Sequence, residues 1–528
     1  MNNKKNSIII LSKGINMDNE YHNIIDYHES DIVSLCESNS HLVAKQINYS
    51  FLKIGENVIN VGIPYATCLE ANYIAMQNPY YSNKWFFAFI DRVEYNSEVS
   101  TNIYYTVDEI STWWDYWSKS KKSFVIREHV NDDTVGLHTI PEGLETGEYI
   151  CNSKDSSIFN DYAFVLELSQ GLGQGGGNLS TNVNGIWCAG HFYVFNNIQS
   201  LTTVIRAAQQ QSSPQIDILS VYIVPSFLLG TEDYNTTWDG FETPVFYTKT
   251  VTKQTTLDSY VPVNNKLKCY PYNYLLETNS SGASNVLKYE LFASDPSFSI
   301  GGTATVGASI VSIPINYKEG DETNMLTCSK FPTCSWASDA YQAWLSQQGI
   351  NIGGLSINAE QYGYGTGILS LGAGVIAGIT GNVALSATLM SHGLSNITDT
   401  LASSMQYEKQ PVSYKGNLNN GDIITASKKN GFYFYKMSIK KEYAESIDQF
   451  FTKFGYKVNA LKVPNFTGRA YFNYIQISSD DIIGNSNASI TVPETSMDII
   501  NNVFRRGTTI WHNHDNIGNY SLSNTITS

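Results

Sequence analysis

GFYFYKMSIKKEYAESIDQFFTKFGYKVNALKVPNFTGRAYFNYIQI, residues 431–477, decides the fold class. Residues 432–439 carry the aromatic-rich alternation of a strand. From Lys441 the period changes. Ala444, Ile447, Phe451 and Phe454 recur at helical spacing, and Gly455 stands where such a helix stops. Residues 469–477 return to strand character, and 488–492 read as a further strand. Residues 494–506 form a second amphipathic helix, with Met497, Ile500, Val503 and Phe504 on one face and Gly507 at its end. A last strand covers 508–512. The order β-α-β-β-α-β is that of the ferredoxin-like split βαβ unit.

Working outward, the opposite end of the chain reads similarly. Residues 7–11 and 51–63 are strands, and KWFFAFIDRVEY (84–95) is an apolar strand with 102–107 as its hairpin partner. Asp108 is an N-cap for the short helix DEISTWWDYW, and 123–130 is again a strand. The strand–helix–strand order of 102–130 repeats that of 488–512, which suggests related modules at the two ends. Between them, 141–327 shows short β-rich runs broken by Gly, Asn, Ser and Pro, with strands at 163–168, 190–195 and 219–224 and no long helix. That pattern predicts a sandwich or barrel. Ser338 and Asp339 open a helix that Gly349 stops. The expected fold is α+β and mainly β, with a first module over 1–135, a β-rich middle domain over 136–350, a long apolar loop over 351–425 and a second module over 426–528.

The loop contains QYGYGTGILSLGAGVIAGITGNVALSATLMSHGLSNIT, residues 361–398, without one Asp, Glu, Lys or Arg. A soluble helix would show a charged face, and a buried strand would end within about eight residues. The run is long enough for a bilayer crossing, which takes about 20 apolar residues. Its glycines disfavour a helix in water. Gly374-x-x-x-Gly378 is the spacing that lets apolar helices approach closely in lipid. The candidate membrane-inserting residues are Gly367, Ile368, Leu369, Leu371, Gly372, Gly374, Val375, Ile376, Gly378, Ile379, Val383, Leu385, Leu389 and Met390. The competing reading, a soluble Gly/Ala/Ser linker, rarely collects so many Ile, Leu and Val side chains.

The totals bound the function. At 528 residues the chain is too long for one core. A formal charge of −15 argues against gripping nucleic-acid phosphates over the whole surface. It suits a solvated surface, or a conduit that must not stick to DNA. High Tyr content, 35 residues, with only 15 % charged residues favours β-structure and subunit contacts. The seven cysteines are scattered without a CxxC pair, which argues against a zinc site or a disulfide framework.

Candidate chemistry is sparse. Gly171-x-Gly173-x-x-Gly176 follows a strand, but no helix opens after it to receive a phosphate, so it reads as a loop. His512-x-His514 beside Asp515 has strand spacing for two imidazoles on one face, yet no third ligand is identifiable. Arg127, Glu128 and His129 near Asp132 and Asp133 alternate faces on a strand, so intersubunit salt bridges are their expected role. No GxSxG, HExxH or Walker loop occurs. No catalytic residue, metal ligand or cofactor is assigned.

Several strings taken together resemble one family. They are YIAMQNPYYSNKWFFAFIDRVEY (73–95), SFVIREHV (123–130), TIPEGLETGEY (139–149), KKEYAESIDQFFTKFGYKVNALKVPNFTGRAYFNYIQ (440–476) and ITVPETSMDIINNVFRRGTTIWHNHDNIGNYSLSN (490–524). The family is the tail knob, or distal tail tube, proteins of small short-tailed phages of Gram-positive bacteria. The resemblance covers roughly the first 150 and last 100 residues. It implies tail-tube-type modules in a homo-hexameric tube at the virion tail tip, joined to the proximal tail tube (lower collar) and to a wall-degrading tail-tip protein. It implies that phage DNA passes through the lumen without sequence-specific binding, that the apolar loops plug this lumen, and that they penetrate the host cytoplasmic membrane on infection. The protein would be no enzyme and need no cofactor. The alternatives are a tail-tip cell-wall-degrading enzyme and a purely structural receptor-binding knob.

Overall fold

The structure, a computed structural model, describes residues 7–49, 52–55, 57–159, 161–168, 182–183, 186–187, 191–210, 218–229, 237–238, 245–279, 283–302, 310–318, 326–328, 333–335, 431–478, 484–485 and 490–527. They fall into two compact units. One is built from Met1–Glu148, Ser259–Tyr272 and Ile439–Ser528, the other from Tyr149–Asp258 and Asn273–Ser438. Both ends of the sequence therefore contribute to one unit.

The first unit contains a seven-stranded antiparallel sheet. In sheet order its strands are β3 (Leu42–Tyr49), β1 (Ser7–Ser12), β6 (Tyr73–Gln77), β7 (Trp85–Ser97), β8 (Ser100–Val107), β5 (Val58–Val61) and β4 (Leu52–Gly55). The edge strands β3 and β4 are separated in sequence by only Ser50 and Phe51. A link that short spans at most about 10 Å, whereas seven flat strands would be roughly 29 Å across. The sheet must curl until its edges approach. Its two faces bury different residues: Ile9, Leu11, Ile59, Ile74, Ala88 and Ile103 lie in one core, while Ile10, Tyr73, Ala75, Phe87 and Phe89 face another. Burial on both faces explains why β1 reads as the uninterrupted apolar run SIIILS.

The second core is shared with a five-stranded sheet whose order is β2 (Asn23–Ile25), β29 (Thr508–Trp511), β27 (Phe472–Ile477), β10 (Ser123–Glu128) and β26 (Tyr456–Lys462). Helices α1 (Glu29–Glu37), α3 (Glu109–Trp113) and α6 (Glu494–Arg506) place Ile32, Trp113, Ile500 and Phe504 into it. Each such fully buried large apolar side chain contributes roughly 1.5–3 kcal/mol. A four-residue helix, α2 (Tyr65–Cys68), packs against the curled sheet.

Several expectations need correction. The ferredoxin-like order over 431–512 is not what the hydrogen bonds draw, because its first strand, β25 (Gly431–Ile439), pairs with β19 (Asn273–Thr278) outside this sheet. Strand β26 was absent from the sequence reading: its Lys and Asn residues are poor strand formers, and it survives as an edge. Thr491 and Val492, expected in a strand, lead without regular structure into α6, and 488–489 lie outside the described residues. The single strand expected over 51–63 is a hairpin, β4–β5, turned at Asn57 with φ +57. Helix α3 ends at Trp113 because Trp114 and Trp117 turn into the core, with Trp117 edge-on to Phe466 and Phe504 and Trp117–Ser118 continuing as β9 against β28 (Gly484–Asn485). Asp108 caps α3 as expected, its carboxylate accepting the Ser111 amide at 3.0 Å.

The second unit is mainly β. One sheet runs β11 (Tyr149–Ile158), β25, β19, β20 (Ser284–Lys288), and another runs β18 (Val245–Thr250), β21 (Ser297–Gly302), β22 (Ile310–Pro314), β23 (Leu326–Cys328). A third runs β17 (Thr237–Trp238), β15 (His191–Phe195), β12 (Tyr162–Leu168), β16 (Ile218–Pro225), β24 (Thr333–Ser335), and β13 (Asn182–Val183) pairs with β14 (Ile186–Trp187). One apolar cluster draws on all three large sheets, with the Phe298 and Phe434 rings tilted at 39° and 4.5 Å between centres. A 13-residue helix, α4 (Ile198–Gln210), interrupts the β-rich region against expectation. Its signals were present: Asn197 accepts the Ser200 amide as an N-cap, and Leu201 and Ile205 are the buried i, i+4 pair.

Candidate functional site

The membrane-inserting candidates from Gly367 to Met390 lie outside the described residues, as do the expected helix at 338–349 and the Gly171–Gly176 loop. Among the described residues, no helix is long and apolar enough to cross a membrane. The chemistry that is placed lies mostly in the first unit, where helix α5 (Lys441–Phe454) ends against β10.

Helix α5 buries Ala444, Ile447 and Phe451, and Gly455 closes it at φ +64. A side chain at Gly455 would bring its Cβ within 2.1 Å of the Glu128 carbonyl oxygen, so the stop also permits close approach. Beside this turn the Glu142 carboxylate, wholly buried, pairs with both Arg127 and Lys266 and accepts the Lys457 amide at 2.9 Å. Arg127 also donates to the Gly455 carbonyl at 2.8 Å and lies over the Phe450 ring. Burial pushes the Lys266 ammonium down from its ordinary pKa, and Glu142 acts in the opposite sense. On the other face of β10, buried Glu128 pairs with Lys462 and accepts the Asn465 amide at 2.8 Å.

Further contacts tie the 259–272 segment to α5. The Asp448 carboxylate accepts Tyr260 Oη at 2.7 Å, the Val263 and Asn264 amides at 2.7 and 3.0 Å, and Asn264 Nδ2 at 2.7 Å. Asp133 accepts Tyr456 Oη at 2.6 Å and the Asn265 amide at 3.1 Å. His129 donates from Nε2 to the Thr452 carbonyl and accepts the Tyr474 amide at Nδ1. Burial, followed by the Arg469 charge, pushes its pKa down to about 3, so it stays neutral. Arg127 and Glu128 thus find partners within the chain, where intersubunit bridges were expected. The constellation holds three sequence-distant segments together; it presents no activated nucleophile. Glu142, Lys266 and Asp448 gave no sequence signal, since each acquires its role only from a distant partner.

The terminal histidines separate. His512 is engaged at both ring nitrogens, by Asp26 at 2.8 Å and by Asn473 at 3.0 Å. His514 is buried, meets His41 edge-on at 5.0 Å between ring centres, and has its pKa lowered by burial. The same-face pair that strand spacing would allow is therefore not formed, and His514 is buried where an ordinary surface or interface histidine is expected.

In the second unit, Glu277 on β19 is fully buried, and among the described residues no hydrogen bond of ordinary geometry reaches either carboxylate oxygen. Burial pushes its pKa up to about 8, against the smaller opposing effects of Ser312 and Asn285, which favour the charged form. The folded protein therefore keeps this proton where the unfolded chain loses it. The contribution of Glu277 to stability falls as pH rises from about 4.5 to 8 and is level above. Glu277→Gln is expected to remove that slope and to stabilise the unit at pH 9 by on the order of 3 kcal/mol. Thermal melts of parent and variant at pH 5 and pH 9 check it; an unchanged slope contradicts it.

Comparison with known proteins bears on this geometry. The family model for the C-terminal domain of the Bacillus phage phi29 tail knob protein gp9 matches residues 238–525, and the model for the caudoviral major tail protein N-terminus matches residues 5–118. The tail knob protein gp9 of Bacillus phage phi29 is 25 % identical over 572 aligned positions, covering 90 % of this chain and 91 % of that one. That of Bacillus phage B103 is 26 % identical, covering 92 % of each. The solved bacteriophage C1 tail knob protein gp12 shares the fold, with a TM-score of 0.60 at 15 % identity over 99 % of this chain and 100 % of that one. With more than half of its residues matched by the gp9 model and nearly the whole chain aligned to its relatives, this chain belongs to the phi29 tail knob protein family.

Proposed function

We propose that this tail knob protein is a non-enzymatic structural component of the virion tail tip, six copies of which close into a ring through which phage DNA leaves. In this reading the uncharged segment from Gly367 to Met390 plugs the ring at rest and enters the host cytoplasmic membrane on infection. The observation that carries it is the charge-free apolar run 361–398 within a tail knob sequence whose net charge is −15. A conduit wall poor in phosphate-binding cations lets DNA pass without capture. A segment without charges avoids the cost of about 2.5–3.5 kcal/mol for each Asp, Lys or Arg at a bilayer centre. The ring contacts the tail proteins above and below it, the proximal tube and the wall-degrading tip protein.

A cyclic ring needs a heterologous interface that closes. Native mass measurement on purified protein or isolated tails is expected to give six copies. A stable monomer or two-fold dimer at every concentration, with no ring in virions, would overturn the ring.

A further inference from the structure

His41, at the entry to β3, and His514 and Asp515, in the 3-10 turn after β29, come from opposite ends of the sequence. Their ligand atoms nonetheless lie within 4.8 Å of one another. The two imidazoles meet at 5.0 Å between ring centres with planes at 82°, so they converge from different directions and do not stack. The tautomer of His41 is fixed: its Nδ1 donates to the Lys13 carbonyl at 2.8 Å, while the Lys13 amide donates back to the His41 carbonyl at 2.8 Å. Such a carbonyl contact is how a metal-binding imidazole is held by its other nitrogen, leaving Nε2 with its lone pair. His514 Nδ1 faces the Asp515 carboxylate at 3.4 Å. The Asp515 side chain is 84 % exposed and free to turn.

We propose that His41 Nε2, His514 Nδ1 and the Asp515 carboxylate bind a divalent transition metal of zinc-like preference, with a fourth position open to water. Two imidazoles and one carboxylate suit Zn(II) or Co(II) and are too nitrogen-rich for Ca(II) or Mg(II). Bonds of about 2.0–2.2 Å in a tetrahedron set ligand atoms about 3.4 Å apart. Turning the exposed Asp515 carboxylate, with a small shift of the His41 ring about its Lys13 hydrogen bond, closes the remaining gap. His514 Nε2 accepts the Asn16 amide at 3.3 Å. Metal at Nδ1 moves the ring proton to Nε2, so binding gives up the 3.3 Å contact with the Asn16 amide. Asn16 itself is exposed, while buried Ile15 and Met17 and the Asn72 side chain, bonded to both backbone groups of Ile15, hold its neighbours in place, so the exchange is confined to that one contact. The bound ion fastens the C-terminal turn to the 13–16 loop and to the start of β3, and so joins the two ends of the chain. This site is independent of the ring and of the membrane segment.

The test uses the untagged full chain, stripped with a chelator and titrated with Co(II) and with Zn(II). One Co(II) per chain is expected, with the intense visible absorption of tetrahedral nitrogen–oxygen ligation, and Zn(II) is expected to raise the melting temperature and displace the cobalt. His41→Gln and Asp515→Asn lie at accessible positions and keep the buried His514 in place; each is expected to weaken binding at least about 10-fold. His22→Gln, which removes the exposed His22–Asp18 pair, is expected to change nothing. Absence of stoichiometric uptake, or uptake unaffected by both site variants, overturns the proposal.

Discussion

Glu142→Gln is expected to destabilise the first unit by about 3–5 kcal/mol, enough to consume a large part of a typical domain's stability. The reason is what remains behind. In the parent, the wholly buried carboxylate neutralises Arg127, 12 % exposed, and Lys266, 4 % exposed. An amide leaves both cations desolvated and unpaired, and also weakens the acceptor of the Lys457 amide. Lys266 can shed its proton, which its lowered pKa makes easier, but Arg127 cannot. Glu70→Gln is the matched control: Glu70 pairs with Lys13 at 2.9 Å, but the two side chains are 59 % and 48 % exposed, and such pairs contribute under about 1 kcal/mol. Urea unfolding followed by tryptophan fluorescence compares the two. Equal small losses would mean that water reaches the Glu142 cluster and that the clamp does not hold the 123–142, 259–269 and 441–462 segments together.

What could be read from the sequence follows the range of the interactions. Helix α6 and the helix stop at Gly455 were legible because their causes are local: an apolar stripe at helical spacing and a glycine able to take φ +64. The Asp108 cap was legible for the same reason. Sheet membership was not, since pairing β25 with β19 is a choice between distant partners that no local pattern encodes. Strand β26 was hidden because an edge strand tolerates KVNALK, a sequence with few strand formers. His514 was noticed but given the wrong companion: His512, two residues away, turns to Asp26, and His41 approaches from the other end of the chain. The uncharged run declared itself through composition alone, and its residues belong to the proposed function.

Within that run, Val375→Lys carries the second large expectation. The residue lies beside Gly374 in the middle of the apolar series. A lysine there adds roughly 2.5–3.5 kcal/mol to the transfer of each copy into the bilayer centre, and the six copies of the proposed ring compound the effect. The inserted backbone must satisfy its own hydrogen bonds, as helices or shielded by neighbouring copies. Gly378→Leu therefore serves as a companion, obstructing close helix contact at Gly374-x-x-x-Gly378 while leaving hydrophobicity intact. It is expected to weaken association of the inserted segments more than insertion itself. The measurement that tests the account most directly is release of an encapsulated dye from anionic liposomes by parent and Val375→Lys protein, with ring assembly of both verified by native mass. Leakage by the parent and almost none by the variant is expected at unchanged ring mass; equal leakage would show that the 367–390 segment is not the membrane agent.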